Sequence, residues 1–278
     1  MDFPQESAIT LYNGVKMPAI GFGVYKVEAG TETVESVTEA LGAGYRLIDT
    51  AAIYQNEEGV GQAIKNSGIP RESLFITSKV WNEDQGYDQT LRAFDESLSK
   101  LGLEYLDLYL IHWPVSGKYA DTWRAMERLY EEGRIKVIGV SNFHTHHLEN
   151  LLAAAKHVPV INQIELHPRL SQMETRSFCR DKNIAVEAWA PIGKGKLLDE
   201  PVLVKIGEGY KKTPAQVILR WHLQNGVIPI PKSVMPARIK ENIDIFDFSL
   251  TEGEMNQIDS LNRNERFGTN PDKYEKKQ

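Results

Sequence analysis

The chain has 278 residues, 41% hydrophobic and 25% charged, with a formal net charge of −6. That balance fits a soluble globular protein with a large core and argues against a nucleic-acid-binding or basic membrane surface, although a local basic pocket for a phosphate stays open. Cys179 is the one cysteine, which excludes an internal disulfide and a cysteine zinc cluster, and no apolar run reaches the roughly 18–20 residues of a membrane span.

The acidic start Met1-Asp2-Phe3-Pro4-Gln5-Glu6 lacks the apolar core of a signal peptide, so a cytoplasmic location is expected. Asn13-Gly14, between two short alternating runs, predicts a β-hairpin over 9–17. One pattern then repeats. A short, mostly apolar run stops at a polar or small residue, and an amphipathic segment follows. The runs are 19–24 closed by Tyr25, 47–48 by Asp49, 74–78 by Lys79 and 106–111 by His112-Trp113. They continue with 135–140 closed by Ser141-Asn142, 158–162 by Gln163, 184–188 by Trp189 and 227–230 by Pro231-Lys232-Ser233. Helical spacing recurs between them, as in Leu91, Phe94, Leu98 and Leu101. A last amphipathic stretch, 252–261, has Thr251 as its expected N-cap.

Eight strand–helix alternations predict a (β/α)8 TIM barrel, with an N-terminal hairpin and an extra C-terminal helix. With no linker or composition break, residues 1–278 read as one domain, and 264–278 as a loose polar tail. A doubly wound sheet is the alternative. Its dinucleotide fingerprint is absent: Gly59-Val60-Gly61 lacks a third glycine and follows Asn56-Glu57-Glu58 rather than a strand.

In such a barrel the strand-closing residues share one rim, where catalytic groups gather. Asp49, Lys79 and His112 close strands there, and Tyr54 lies just beyond Asp49. A phenol titrates near ~10, and an ammonium such as Lys79 would lower that value. Asp49 could keep Lys79 charged, and His112 could donate to a substrate oxygen. The set could protonate a carbonyl oxygen, but it holds no hydride source and so implies a cofactor. Plainer readings stand beside this one. Asp49 could simply cap the next loop, Lys79 be its structural ion-pair partner, and His112 a core histidine. Tyr25, Trp81, Trp113 and Trp189 could be core aromatics, though four at strand ends fit a pocket wall better. His144, His146 and His147 cluster at a helix start with no carboxylate or cysteine at ligand spacing, so no metal is expected.

At these residues the sequence resembles the aldo-keto reductases, in the branch of glyoxal/methylglyoxal and diketogluconate reductases. The carrying segments are Gly44–Ala51 with Tyr54, Ile76–Trp81, Leu106–Pro114, Gly139–Phe143, Asn162-Gln163 and Ile230–Val234. The resemblance implies an NADPH-dependent carbonyl reductase with Tyr54 as proton donor and Asp49, Lys79 and His112 completing a tetrad. It implies that Ser141, Asn142 and Gln163 hold the nicotinamide carboxamide and that Trp189 stacks on the ring. Lys232, Ser233, Arg238, Glu241 and Asn242 would grip the adenosine end, with Lys232 and Arg238 on the 2′-phosphate. Val24, Tyr25, Asp49, Ala190, Pro191, Ile192 and Val234 would complete the cofactor contacts, and Tyr25, Trp81, His112 and Trp113 the substrate contacts. Trp189 replaces a usual tyrosine, Tyr25 a frequent tryptophan and Ala190 a frequent serine, which bears on substrate range and cofactor contacts rather than reaction type. Small aldehydes and α-dicarbonyls are the expected substrates, and a monomer the expected form. Two other functions compete: a Schiff-base aldolase or lyase using Lys79 or Lys232, and a non-catalytic NADPH-binding regulatory subunit.

Overall fold

The strand Leu106–Ile111 buries every side chain, and alternate ones go opposite ways. Tyr109 and Ile111 join the apolar layer shared with the helices, while Leu108 and Leu110 join an inner cluster with Leu47, Phe75, Val137, Ile161 and Ile228. Apolar residues on both faces suit a parallel sheet that closes on itself inside and is covered by helices outside. The computed structural model, which describes residues 7–272, repeats that arrangement around the molecule.

Ala8–Thr10 (β1) and Lys16–Pro18 (β2) form an antiparallel hairpin. The barrel follows as Phe22–Gly23 (β3), Thr31–Gly42 (α1), Leu47–Asp49 (β4), Glu57–Ser67 (α2), Phe75–Val80 (β5), Tyr87–Leu101 (α3), Leu106–Ile111 (β6) and Tyr119–Glu131 (α4). It continues as Ile135–Ser141 (β7), Thr145–Leu152 (α5), Ile161–Glu165 (β8), Met173–Asp181 (α6), Ala185–Trp189 (β9), Pro201–Tyr210 (α7), Pro214–Gln224 (α8) and Val227–Ile230 (β10). Pro236–Ile243 (α9) and Glu252–Asp259 (α10) end the described helices. Strands β3 to β10 pair in chain order, all parallel. The ring closes where the Gly21 and Gly23 N–H groups donate to the Pro229 and Pro231 carbonyls, each over 3.0 Å. A Cβ on Gly21 would run into the Leu47 and Ile230 side chains, so the closing seam needs glycine there.

Leu11 and Met17 of the hairpin pack into the inner cluster beside Leu47, Phe75 and Ile161, each the first residue of its strand. The hairpin therefore plugs the N-terminal end and leaves the C-terminal rim for chemistry. Thr251 caps α10 as expected, accepting the Glu254 N–H, while Glu254 accepts the Thr251 N–H. No helix among the described residues is long and apolar enough to cross a membrane.

Three local expectations change. The run 158–162, expected to close at Gln163, is strand at Ile161–Glu165, so Gln163 lies within β8. The run 19–24 is regular strand only at Phe22–Gly23, because the Ala19 N–H turns back to the Ser7 carbonyl at the hairpin. The tail expected to be loose from 264 is held as far as 272. Phe267 stacks on His167 with centroids 4.6 Å apart, and its N–H donates to Glu165 Oε1 over 2.6 Å. Arg266 and Asp272 both reach His144 over 2.8 Å. The rest of that tail, 273–278, and the acidic start, 1–6, lie outside the described residues.

Candidate active site

The register brings the residues expected to close the strands to one rim, at or near the strand ends. Asp49 ends β4, and Lys79 lies two residues beyond Thr77, its pairing partner on β5. Lys79 Nζ donates to Asp49 Oδ1 over 2.6 Å and to the Thr50 carbonyl over 2.9 Å, with the lysine 1% exposed. A buried ammonium survives only when paired in this way. Burial works against its charge, but Asp49, Tyr54 and the hydrogen bond to Asp49 outweigh burial, and Lys79 holds its proton more tightly than usual.

Tyr54 follows on a short helical turn, Ala52–Tyr54, with its ring 5.1 Å from Lys79 Nζ and 5.7 Å from the His112 ring. Its phenol corrects the expectation from sequence. Burial pushes it up to about 12, against the downward pull of Lys79 and with help from Asp49 and Tyr25. Desolvation wins over the ammonium, so the phenol keeps its proton at neutral pH. His112 directly follows β6 and is held neutral, well below the usual imidazole range, by burial and then by the Lys79 charge. Its Nδ1 is buried without a hydrogen-bond partner among the described residues. The Trp81 ring meets His112 edge-on at 5.2 Å, Trp113 stacks on it at 6.4 Å, and Tyr25 lies 5.1 Å from Tyr54. The four tetrad candidates and these three aromatics are thus brought together. Tyr25 is 54% exposed and so faces the open side.

The next three strands carry the expected nicotinamide residues. Ser141 on β7 pairs in register with Gln163 on β8, and the Ser141 hydroxyl donates to the Gln163 carbonyl over 2.9 Å. Asn142 takes a left-handed φ of 65°. Its amide donates to the His112 carbonyl and accepts the Trp189 indole N–H over 2.8 Å, linking the ends of β6, β7 and β9. Ala190 also has positive φ, 48°, where the chain leaves β9 towards Pro191 and Ile192. Backbone strain of this kind gathers at functional sites. The Val24 N–H donates to the Asp49 carbonyl beside the tetrad.

The expected adenosine-end residues follow β10. Ser233 is buried and its hydroxyl accepts the Met235 N–H. Lys232, Val234 and Arg238 are exposed, and neither cation makes an ion pair among the described residues. Asn242 is buried in α9, and Glu241 accepts the Thr213 hydroxyl over 2.8 Å.

Glu187 was passed over in the sequence, and the structure puts it beneath the tetrad. The Gln163 amide donates to Asp49 Oδ2 over 2.8 Å and to Glu187 Oε2 over 3.0 Å. Burial, then the Asp49 charge, pushes Glu187 up to about 8, against the pull of Gln163 and Lys79. A lone carboxylate inside Ile184-Ala185-Val186-Glu187-Ala188 was the available signal. Glu165 was missed as well. Buried at the end of β8, it accepts the N–H groups of Phe267 and Gly268. A Cβ on Gly268 would run into the Trp189 ring, so the C-terminal segment forms part of this rim.

Comparison with known proteins gives four findings. The Aldo/keto reductase family model matches residues 19–263. The chain is 60% identical over 267 residues to the glyoxal reductase of Bacillus subtilis (strain 168), covering 96% of this chain and 97% of that one. It is 46% identical over 270 residues to the methylglyoxal reductase DkgA of Yersinia pestis, covering 96% of each. Among solved structures, a Bombyx mori aldo-keto reductase in complex with NADP superposes with a TM-score of 0.88 at 39% identity, over 93% of this chain and 94% of that one.

Proposed function

Because the chain belongs to the aldo/keto reductase family of oxidoreductases, we propose that it reduces small aldehydes and α-dicarbonyls with NADPH, Tyr54 delivering the proton. The observation that carries this reading is the buried Lys79 ammonium, held by Asp49 at 2.6 Å and lying 5.1 Å from the Tyr54 ring. As a substrate carbonyl gains negative charge, Tyr54 can give it a proton, and Lys79 stabilises the phenolate left behind. Asp49 keeps Lys79 charged through that step. Neutral His112 can donate one N–H to the same oxygen and orient it between Trp81 and Trp113.

The residues present fit a nicotinamide dinucleotide phosphate. Both N–H bonds of the Gln163 amide go to carboxyl groups, so towards a carboxamide this side chain offers its carbonyl as an acceptor. Lys232 and Arg238 offer two exposed cations, without partners among the described residues, for a 2′-phosphate. When bound, the cofactor supplies the hydride. The relatives named for glyoxal and methylglyoxal reduction support the same substrate class. A Schiff-base role for Lys79 is disfavoured, because a lysine held charged is a poor nucleophile.

The test is NADPH consumption, followed by absorbance, with glyoxal, methylglyoxal and a broad aldehyde panel. Tyr54→Phe should lose turnover and keep NADPH binding. No oxidation with any panel member would sink the proposal.

A further inference from the structure

Three imidazoles and one carboxylate meet at the start of α5, on a group that includes none of the tetrad. His144 Nδ1, His146 Nε2 and His147 Nε2 lie 2.8, 3.5 and 4.0 Å from Asp272 Oδ1. The four candidate ligand atoms all lie within 4.8 Å of one another. Local spacing shows no carboxylate here, because Asp272 arrives from 128 residues further along the chain. The group opens on a groove of about 810 Å³ that also carries Glu149, Glu174 and Arg266, so carboxylates outnumber the one guanidinium.

We propose that His144, His146 and Asp272 bind a divalent transition-metal cation of the zinc, cobalt or nickel type, which ties the C-terminal segment to α5. Two imidazoles and a carboxylate suit these metals, whereas calcium and magnesium prefer all-oxygen sites. The remaining coordination positions face the groove and take water.

His147 is left out of the proposed ligand set, because its Nε2 lies 4.0 Å from Asp272 Oδ1, beyond hydrogen-bond reach. Its Nδ1 accepts the His144 backbone N–H over 3.0 Å, so in the neutral ring the proton sits on Nε2. His144 has room to change. Its Nε2 accepts from Arg266 Nη2 over 2.8 Å, which puts its proton on Nδ1, shared with Asp272. When a cation takes Nδ1, that proton moves to Nε2, and Arg266 turns to Gln172 Oε1, already 3.2 Å from the same guanidinium nitrogen. The ring stays neutral throughout.

The site has a consequence for the barrel rim. Residues 266–272 bring Gly268 against Trp189 and two N–H groups onto Glu165. A cation on Asp272 fastens the far end of that segment. The binding does not rest on the reductase reading, and its test needs no turnover.

The experiment is calorimetric titration of zinc, and optical titration of cobalt, into the purified chain without a histidine tag. One equivalent should bind, and cobalt should develop a visible ligand-field band. His146→Ala changes an exposed side chain and Asp272→Asn a half-buried one, and each should weaken binding by at least about tenfold. His157→Ala, at the separate pair with Glu131, should leave it unchanged. Absence of stoichiometric binding by the unaltered chain would overturn the proposal, as would full affinity retained in both the His146 and Asp272 variants.

Discussion

Gln163 and Glu187 lie side by side in the register of adjacent strands, and the amide of the first donates to the carboxyl of the second over 3.0 Å. The same amide holds Asp49 Oδ2, so a neutral acid is coupled through one glutamine to the ion pair beneath Tyr54. Glu187 has its carboxyl raised from 4.5 to about 8. The sign follows from linkage. The folded state binds the extra proton between these values, so its advantage is full below about 4.5 and is lost as pH rises through about 8. Glu187→Gln keeps the shape and removes the titration. Its melting temperature should fall less than that of the unaltered chain between pH 5 and 9, the range that brackets this titration. Parallel melting curves for the two proteins would refute the assignment.

How much of this was legible beforehand follows from what each residue's neighbours are. The barrel was readable because each short apolar run in the sequence gives way to a polar residue, and Asp49, Lys79, His112, Gln163 and Lys232 mark those changes. They locate the rim rather than the strand ends, since Lys79 lies within β5 and Gln163 within β8. Thr251 was readable because a capping box is local in sequence. The Tyr54 phenol was not readable. The sequence shows the ammonium that lowers it but not the burial that raises it more. Glu187 was hidden because its meaning depends on cross-strand register, and Asp272 because 128 residues separate it from His144. The described part of the tail was misread for the same reason. Its polarity pointed to solvent, while Glu165, buried on β8, takes its backbone N–H groups.

Lys79→Met tests the ion pair from the other side. Both partners are buried, so removing the lysine strands the Asp49 carboxylate and should cost about 3–5 kcal/mol of stability. Asp49→Asn on the same background should recover part of that loss, because the stranded charge is gone. Turnover should fall by roughly 10²–10⁴ in the single variant. Denaturant melts of the two variants check the first part. Equal losses in both would show that packing, not charge, dominates.

The exposed cations past β10 should control cofactor choice. Arg238→Ala and Lys232→Ala each remove a charge that makes no ion pair within the described residues, so folding should change little. Each should raise KM for NADPH by about tenfold, near 1.4 kcal/mol, and leave KM for NADH nearly unchanged. The NADPH effect should shrink at high salt, since exposed charges are screened. Equal changes with both cofactors would place these residues away from the phosphate.

Arg71, Lys136 and the Ile76 N–H converge on the buried Asp107 carboxylate at 2.7, 3.0 and 2.9 Å. Both cations are partly exposed, so solvent discounts the loss on cutting them free. Asp107→Ala should cost about 2–3 kcal/mol. Because Asp107 sits at the start of β6, away from the rim, kcat per folded molecule should not move. A fall in kcat at full folding would contradict that separation.

Gly268→Ala asks whether the C-terminal segment sets the position of the Trp189 ring. The added Cβ would meet the ring and come within 3.0 Å of Glu165 Oε2, so either the indole or the segment must shift. Overpacking of this kind costs about 1–3 kcal/mol. The specific consequence is at the indole, whose N–H holds Asn142 Oδ1 over 2.8 Å. Moving the ring loosens Asn142, which also carries the His112 carbonyl. The variant should therefore change tryptophan fluorescence and raise KM for NADPH, at temperatures where it remains fully folded. Gly253→Ala is the matched control: a Cβ there meets nothing within 4 Å on α10, and alanine in a helix should stabilise by about 0.5–1 kcal/mol. If Gly268→Ala lowered only the melting temperature, the segment would be a structural strap with no hold on the ring.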